Sequence, residues 1–265
     1  MKKIFLVLLA AIFAFSASAE IKAPHIIANG GYHKSPASGA KNTMSALKAA
    51  QKLKIYGSEC DINLTKDNEL VVVNHGKHPN GKIKPNVDAQ RATLEKLLAI
   101  PHANGEKVCT IEDYLARVAK KPTTKLIIEL KGQDSIEREN TLIEKTLAAV
   151  EKAGLQGNVE YISFRPWICF ELAKKAPKGT SIAYLDGKYT PEYVKGMGCT
   201  GIDFNINTLR KKSSLIKAAH KLGLTVNVWT VNKEADIRWC ITNGVDFITT
   251  DEPALAKQIV KEMCK

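Results

Sequence analysis

Apolar and polar positions alternate in two rhythms along this chain. Short runs rich in Val, Ile and aromatic residues occur at HIIA (25–28), SECDINL (58–64), LVVVNH (70–75), KLIIELK (125–131), VEYISF (159–164), SIAYL (181–185), GIDFNI (201–206), TVNVWTV (225–231) and DFITT (246–250). Between them lie lysine-bearing segments with apolar residues at helical spacing, such as TMSALKAAQKL, IEDYLARVAKK, TLIEKTLAAVEKAG, PWICFELAKKA, SSLIKAAHKLG and ALAKQIVKEM. Strand and helix in alternation predict a parallel α/β architecture. Eight such units in roughly 250 residues predict a closed (β/α)₈ TIM barrel. LVVVNH follows SECDINL across the turn TKDNE and reads as a local hairpin. Residues 76–109, poor in helix signal and rich in Gly, Pro, Asn and Lys, read as an insertion on the barrel rim. Thr110 and Asp113 have capping-box spacing, and Gly154, Gly223 and Gly244 fall where helices should stop.

The first residues break this pattern. Lys2 and Lys3 precede the apolar run IFLVLLAAIFAF (4–15), and Ala17-Ser18-Ala19 is a small-x-small cleavage site. Such a segment reads as a secretory signal peptide (1–19), too short in its apolar part to span a bilayer. The expectation is an exported protein, periplasmic or secreted, whose fold is residues 20–265. The net charge of +12 is scattered, with no basic block or interleaved aromatics. It favours solubility and attraction to anionic ligands, and no nucleic-acid motif accompanies it. Six cysteines (Cys60, Cys109, Cys169, Cys199, Cys240, Cys264) permit disulfides after export, but several sit in apolar segments that suit buried thiols equally well.

In a barrel, chemistry belongs at the C-terminal ends of the strands. Glu59 and Asp61 are two apart in SECDINL, and Glu129 and Lys131 repeat that spacing in LIIELK. Period two puts each pair on one face of its strand. Carboxylates in such apolar strands need a cation, either surface lysines or a hard divalent metal ion held by oxygen ligands. His75 closes LVVVNH, where it serves as an acid or base near pH 7 or as a hydrogen-bonded rim residue. Trp229 in VNVWTVN either packs against an organic alcohol or belongs to the core. A barrel glycosidase using Glu59 and Glu129 as acid and base would leave Asp61 and Lys131 unexplained.

The order IIA-x-x-G…KNT, GSECDINLTKDNELVVVNH, LIIELK, ISF, VNVWTVN and GVDFITTDEP resembles the glycerophosphodiester phosphodiesterase family over nearly the whole mature chain. The resemblance implies a (β/α)₈ barrel with a small insertion, and a Ca²⁺- or Mg²⁺-assisted hydrolysis of a small-molecule glycerophosphodiester to an alcohol and glycerol phosphate. By position, Glu59, Asp61 and Glu129 match the family's metal-binding carboxylates. Lys131 matches its phosphate-side lysine, and His75 the second of its two catalytic histidines. The departures lie at the opening stretch. The family's His-Arg-Gly is Asn29-Gly30-Gly31, the usual Glu before Asn-Thr is Lys41, and the Asp after the second histidine is Gly76. Asn29 cannot exchange protons near pH 7. His33, four residues on and beyond two flexible glycines, is the candidate replacement, either reaching the mouth or remaining a solvated loop residue. Lys41 is the candidate stand-in for the arginine. Two outcomes follow: a hydrolase with a modified acid–base arrangement, or a pseudoenzyme that binds glycerophosphodiesters or other anionic ligands without turnover.

Overall fold

The computed structural model describes residues 22–74, 87–102 and 104–264. The expected signal peptide and His75 lie outside the described residues. Ten strands are present among them: β1 (His25–Ala28), β2 (Gly57–Leu64), β3 (Leu70–Val72), β4 (Cys109–Thr110), β5 (Lys125–Leu130), β6 (Val159–Ser163), β7 (Ile182–Tyr184), β8 (Gly201–Asn205), β9 (Thr225–Trp229) and β10 (Phe247–Thr250). Eight of them, β1, β2 and β5 to β10, pair in parallel, each with its neighbour in chain order. β1 closes the ring by pairing with both β2 and β10. The closed (β/α)₈ barrel predicted from the alternation is the fold.

The period-two pattern explains how the barrel is filled. On β2, β5, β8 and β9, one set of alternate residues (Cys60, Ile62; Leu126, Ile128, Leu130; Ile202, Phe204; Val226, Val228) is fully buried in the layer between barrel and helices. The other set points inward. There Ile27, Ile127, Ile162 and Leu185 pack together as an apolar plug. Above this plug, toward the C-terminal ends of the strands, the inward positions become polar.

The antiparallel β2–β3 hairpin forms as expected, although β3 stops at Val72. β4 adds to its outer edge. A small satellite core of Val71, Val73, Ala89, Ala92, Leu97 and Val108 fixes the described part of segment 76–109 beside the barrel. That part contains a short helix, Leu94–Leu98, which its polar composition did not announce. A further helix, Ile206–Lys211, follows β8 directly. Thr110 and Asp113 form both halves of the capping box. All six cysteines are free thiols, and five are buried. No helix among the described residues is long and apolar enough to cross a membrane.

Candidate active site

A cavity of about 180 Å³ opens at the C-terminal face of the barrel. Asn29, Lys41, Glu59, Asp61, Glu129, Lys131, Asp203 and Trp229 line it, with Asn74, Phe164 and Leu185 among the other walls. Seven of the residues singled out by sequence thus converge on one hollow. His33 is not among the lining residues.

The carboxylates meet because of register. Asp61 on β2 stands opposite Glu129 on β5, and Glu59 is one inward position below Asp61. Ligand atoms of Glu59, Asp61 and Glu129 lie within 4.8 Å of one another, and all three residues are buried. Lys131 Nζ is 2.5 Å from Asp61 Oδ1 and also donates to Glu129 Oε1. Asn42 clamps Asp61 from the other side: its Nδ2 donates to Asp61 Oδ2 at 2.7 Å, and its Oδ1 accepts from the Asp61 backbone N–H at 3.0 Å. Asn42 makes this reach from a left-handed conformation (φ 58), which asparagine tolerates better than most residues. The Gly30 N–H donates to Glu59 Oε2. Glu59 Oε1 is buried with no partner.

Charge separates the three. Burial pushes Glu59 well above the usual carboxylate range, with Asp61 and Glu129 adding to the rise. Burial likewise pushes Glu129 up to about 7, against the pull of Lys131. Burial would raise Asp61 too, but the charge of Lys131 and hydrogen bonds from Lys131 and Asn42 hold it below its ordinary value. Lys131 is the one ammonium against three carboxyls, so burial holds Glu59 and Glu129 toward their protonated forms until a further cation arrives, and one Glu59 oxygen is orphaned. That donor set fits a hard divalent cation with oxygen ligands.

The substituted opening stretch organises itself around Asp251, the residue just beyond β10. Because β1 pairs with β10, Asn29 comes to lie beside it. Asp251 Oδ1 receives Asn29 Nδ2 at 2.9 Å, Lys41 Nζ at 2.7 Å and His33 Nε2 at 3.1 Å. Its Oδ2 receives Asn232 Nδ2 at 2.9 Å, and its own N–H donates to Asn232 Oδ1 at 2.8 Å. Burial alone would raise the Asp251 carboxyl; the hydrogen bonds from His33 and Lys41 and the charge of Lys41 hold it well below the usual range.

Position 30 must be glycine in this arrangement. Its φ is +65, and a Cβ there would lie 2.7 Å from the Lys41 Cβ. The Lys41 stem therefore occupies the space a larger residue at 30 would need. Trp229, at the end of β9, is held in the cavity wall: its Nε1 donates to the Asp203 carbonyl at 2.9 Å and its ring meets Phe164 edge-on.

Asp251, Asn232 and Asp203 were missed by sequence reasoning. Period two was the available signal. Asp203 lies two past Gly201 in GIDFNI, and Asp251 two past Thr249 in DFITTDEP, the same inward phase that exposed Glu59 and Asp61.

Comparison with known proteins identifies the family. The model of the glycerophosphoryl diester phosphodiesterase family matches residues 29–255. The chain belongs to that family. A glycerophosphodiester phosphodiesterase of Parabacteroides distasonis, known from its crystal structure, is 34% identical and superposes with a TM-score of 0.86, covering 92% of this chain and 99% of the other. A glycerophosphodiester phosphodiesterase of Bacillus altitudinis is 27% identical over 84% of this chain and 94% of its own. An Oleispira antarctica phosphodiesterase, solved with its product sn-glycerol 3-phosphate, shares the fold at 16% identity (TM-score 0.76; 90% of this chain, 97% of the other).

Proposed function

We propose that this protein is an exported, divalent-metal-dependent phosphodiester hydrolase that releases an alcohol and glycerol phosphate from glycerophosphodiesters. One observation carries the reading: Glu59, Asp61 and Glu129 converge in the cavity with Lys131 as their one ammonium and a Glu59 oxygen that has no hydrogen-bond partner. These carboxylates would hold Ca²⁺ or Mg²⁺, which when bound supplies charge stabilisation to a phosphoryl oxygen. Lys131, tethered between Asp61 and Glu129, presents an ammonium at the same place for a phosphate oxygen. Lys41 brings a second cation to the rim. Its charge is shared with Asp251, so its pull on a phosphate is weaker than that of an unpaired side chain. Trp229 forms the apolar wall for the alcohol carbons. Export rests on the amino-terminal pattern of Lys2, Lys3, the apolar run and Ala17-Ser18-Ala19.

Proton transfer distinguishes two forms of this reading. Asn29 points its amide at Asp251 and offers no titrating group. His33 is the titrating residue nearest to it on the same strand exit, with Asp251 fixing its ring through Nε2. In the active form, His33 and His75 serve as the proton-transfer pair. In the second form, favoured by the absence of His33 from the cavity lining, the site binds glycerophosphodiesters without turning them over. Losing one acid–base group lowers rate by about 10²–10⁴.

The test is incubation of the mature protein with glycerophosphocholine and glycerophosphoethanolamine, in Ca²⁺, Mg²⁺ or EDTA, with glycerol phosphate measured. Metal-dependent release that falls in H75A and H33A supports the hydrolase with this proton-transfer pair. Metal-dependent ligand binding without release supports the binding protein. Release unaffected by EDTA contradicts both.

A further inference from the structure

Two buried thiols stand together in the layer between barrel and helices, away from the cavity. Cys169 lies in the helix Pro166–Lys175 and Cys199 shortly before β8, and both belong to the main core. Contacts on either side bring them to one place. Cys169 Sγ is 3.6 Å from the Ser163 carbonyl oxygen at the end of β6 and 4.0 Å from that of Ala183 on β7. Thr200, the residue after Cys199, donates its N–H at 2.8 Å to the carbonyl of Ile182, the neighbour of Ala183. Gly198, the residue before Cys199, is pressed against the helix of Cys169: a Cβ there would lie 2.8 Å from the Ala173 Cβ. Ala173 is one turn along from Cys169, on the same helix face. The two thiol side chains hydrogen-bond to each other.

Nothing in the hydrolytic chemistry uses this pair. The hydrogen bond with Cys199 and burial push the Cys169 thiol well above its ordinary range, so it is no nucleophile once the core has closed. Sulfur atoms already in hydrogen-bond contact need little movement to reach the S–S distance of about 2.0 Å. Other cysteines are placed less favourably. Cys60 on β2 and Cys109 on β4 have β3 paired between them. Two strand spacings separate such residues by about 9–10 Å, beyond the roughly 7 Å between Cα atoms that a disulfide spans. The segment between Cys169 and Cys199 also holds short elements, a three-residue β7 and the six-residue helix Pro191–Gly196.

We propose that Cys169 and Cys199 are a cross-linking site: they join as a disulfide when the chain folds in an oxidising compartment, tying the helix Pro166–Lys175 to the start of β8. The oxidant is a small disulfide such as oxidised glutathione. One cysteine thiolate attacks it and releases one glutathione thiol, and the second cysteine thiolate attacks the mixed disulfide and releases the other. The two protein thiols give up two protons and two electrons, and the oxidant is reduced to two thiols. The exchange takes place as the chain folds, before burial seals the pair. The cellular setting rests on the export reading, whereas the pairing itself does not. A bond between residues thirty positions apart restricts the unfolded chain and so stabilises the folded one.

The test is refolding of the mature protein from urea in a mixture of oxidised and reduced glutathione, and separately in dithiothreitol. Free thiols are then blocked with iodoacetamide, and the protein is digested without reduction for mass spectrometry. The glutathione sample should yield the peptide of Cys169 joined to that of Cys199, lighter by the two hydrogens lost and absent after reduction. Its Tm should exceed that of the dithiothreitol sample by about 5–15 °C. C169S and C199S should each abolish the joined peptide and this difference in Tm, while C60S keeps both. Blocked thiols at both positions in the glutathione sample, or either cysteine joined to a different one, overturns the proposal, and the wild-type peptide map shows this even if a variant fails to fold. Hydrolysis is not part of the readout, so a failure here leaves the phosphodiesterase reading standing, and the reverse holds too.

Discussion

Two carboxylate groupings flank β1 at the barrel mouth, one on β2 and β5 and the other just beyond β10, and their books balance differently. On one side, Glu59, Asp61 and Glu129 share the single ammonium of Lys131, and Glu59 Oε1 has no partner. On the other, one carboxylate, Asp251, is served by Lys41, His33, Asn29 and Asn232. The first grouping is short of counter-charge, which burial answers by pushing Glu59 and Glu129 toward their acids, and it is suited to receiving a cation. The second is complete within the protein and works as a brace that ties β1, the Lys41 loop and β10 together. The two groupings are built from the same residue types, and the number of partners each carboxylate finds within the protein is what separates them.

The comparison breaks most visibly at Asp251. Its replacement in D251A leaves the largely buried Lys41 ammonium without its counter-charge, and breaking such a pair costs about 3–5 kcal/mol. Urea unfolding should show a loss of this order. Parity with wild type would mean that the brace carries no stability.

Glu59 should behave oppositely. E59Q mimics the neutral acid that burial favours at this position, so the metal-free protein should be about as stable as wild type, while divalent-ion binding falls away. A destabilisation comparable to that of D251A would show that the cluster, too, is scaffold.

Acid gives a third contrast. A carboxyl whose folded value is depressed contributes stability above its unfolded value and loses it as pH falls. Asp251 is such a group, so this contribution declines as pH drops below roughly 4, the ordinary carboxylate range. Melting temperature should fall more steeply with acid in wild type than in D251N. Identical slopes would remove Asp251 from the account of acid stability.

The smallest effect lies far from either grouping. T110A deletes the side-chain half of the capping box ahead of the helix Ile111–Lys120 and should cost about 1 kcal/mol, leaving ion binding untouched. An effect on ion binding would show that the mouth is coupled to this helix start.

The barrel was legible because alternating strands and helices leave few topologies open, and because inward and outward residues separate at period two. The same period exposed Glu59 with Asp61 and Glu129 with Lys131. The Asp251 brace was not legible, since its partners Asn29 and His33 lie 222 and 218 residues away and meet it only once β1 closes the ring against β10. Reading His33 locally, as a loop residue free to turn inward, overlooked the carboxylate that would claim its Nε2. Asp203 was hidden for another reason. Nothing in GIDFNI says what an inward aspartate will meet, and only the closed barrel sets it opposite Asn227 of β9. The helix Ile206–Lys211 was missed because NTLRKK shows little apolar periodicity.

The central claim is that the Glu59–Asp61–Glu129 cluster holds a divalent cation. Calorimetric titration of the EDTA-stripped, dialysed protein with Ca²⁺ and Mg²⁺, alongside E59Q and E129A, tests it most directly. Saturable binding of at least one ion near one equivalent is expected in the wild type, and none in either variant. Binding that persists undiminished in both variants, or no binding in the wild type, would contradict it.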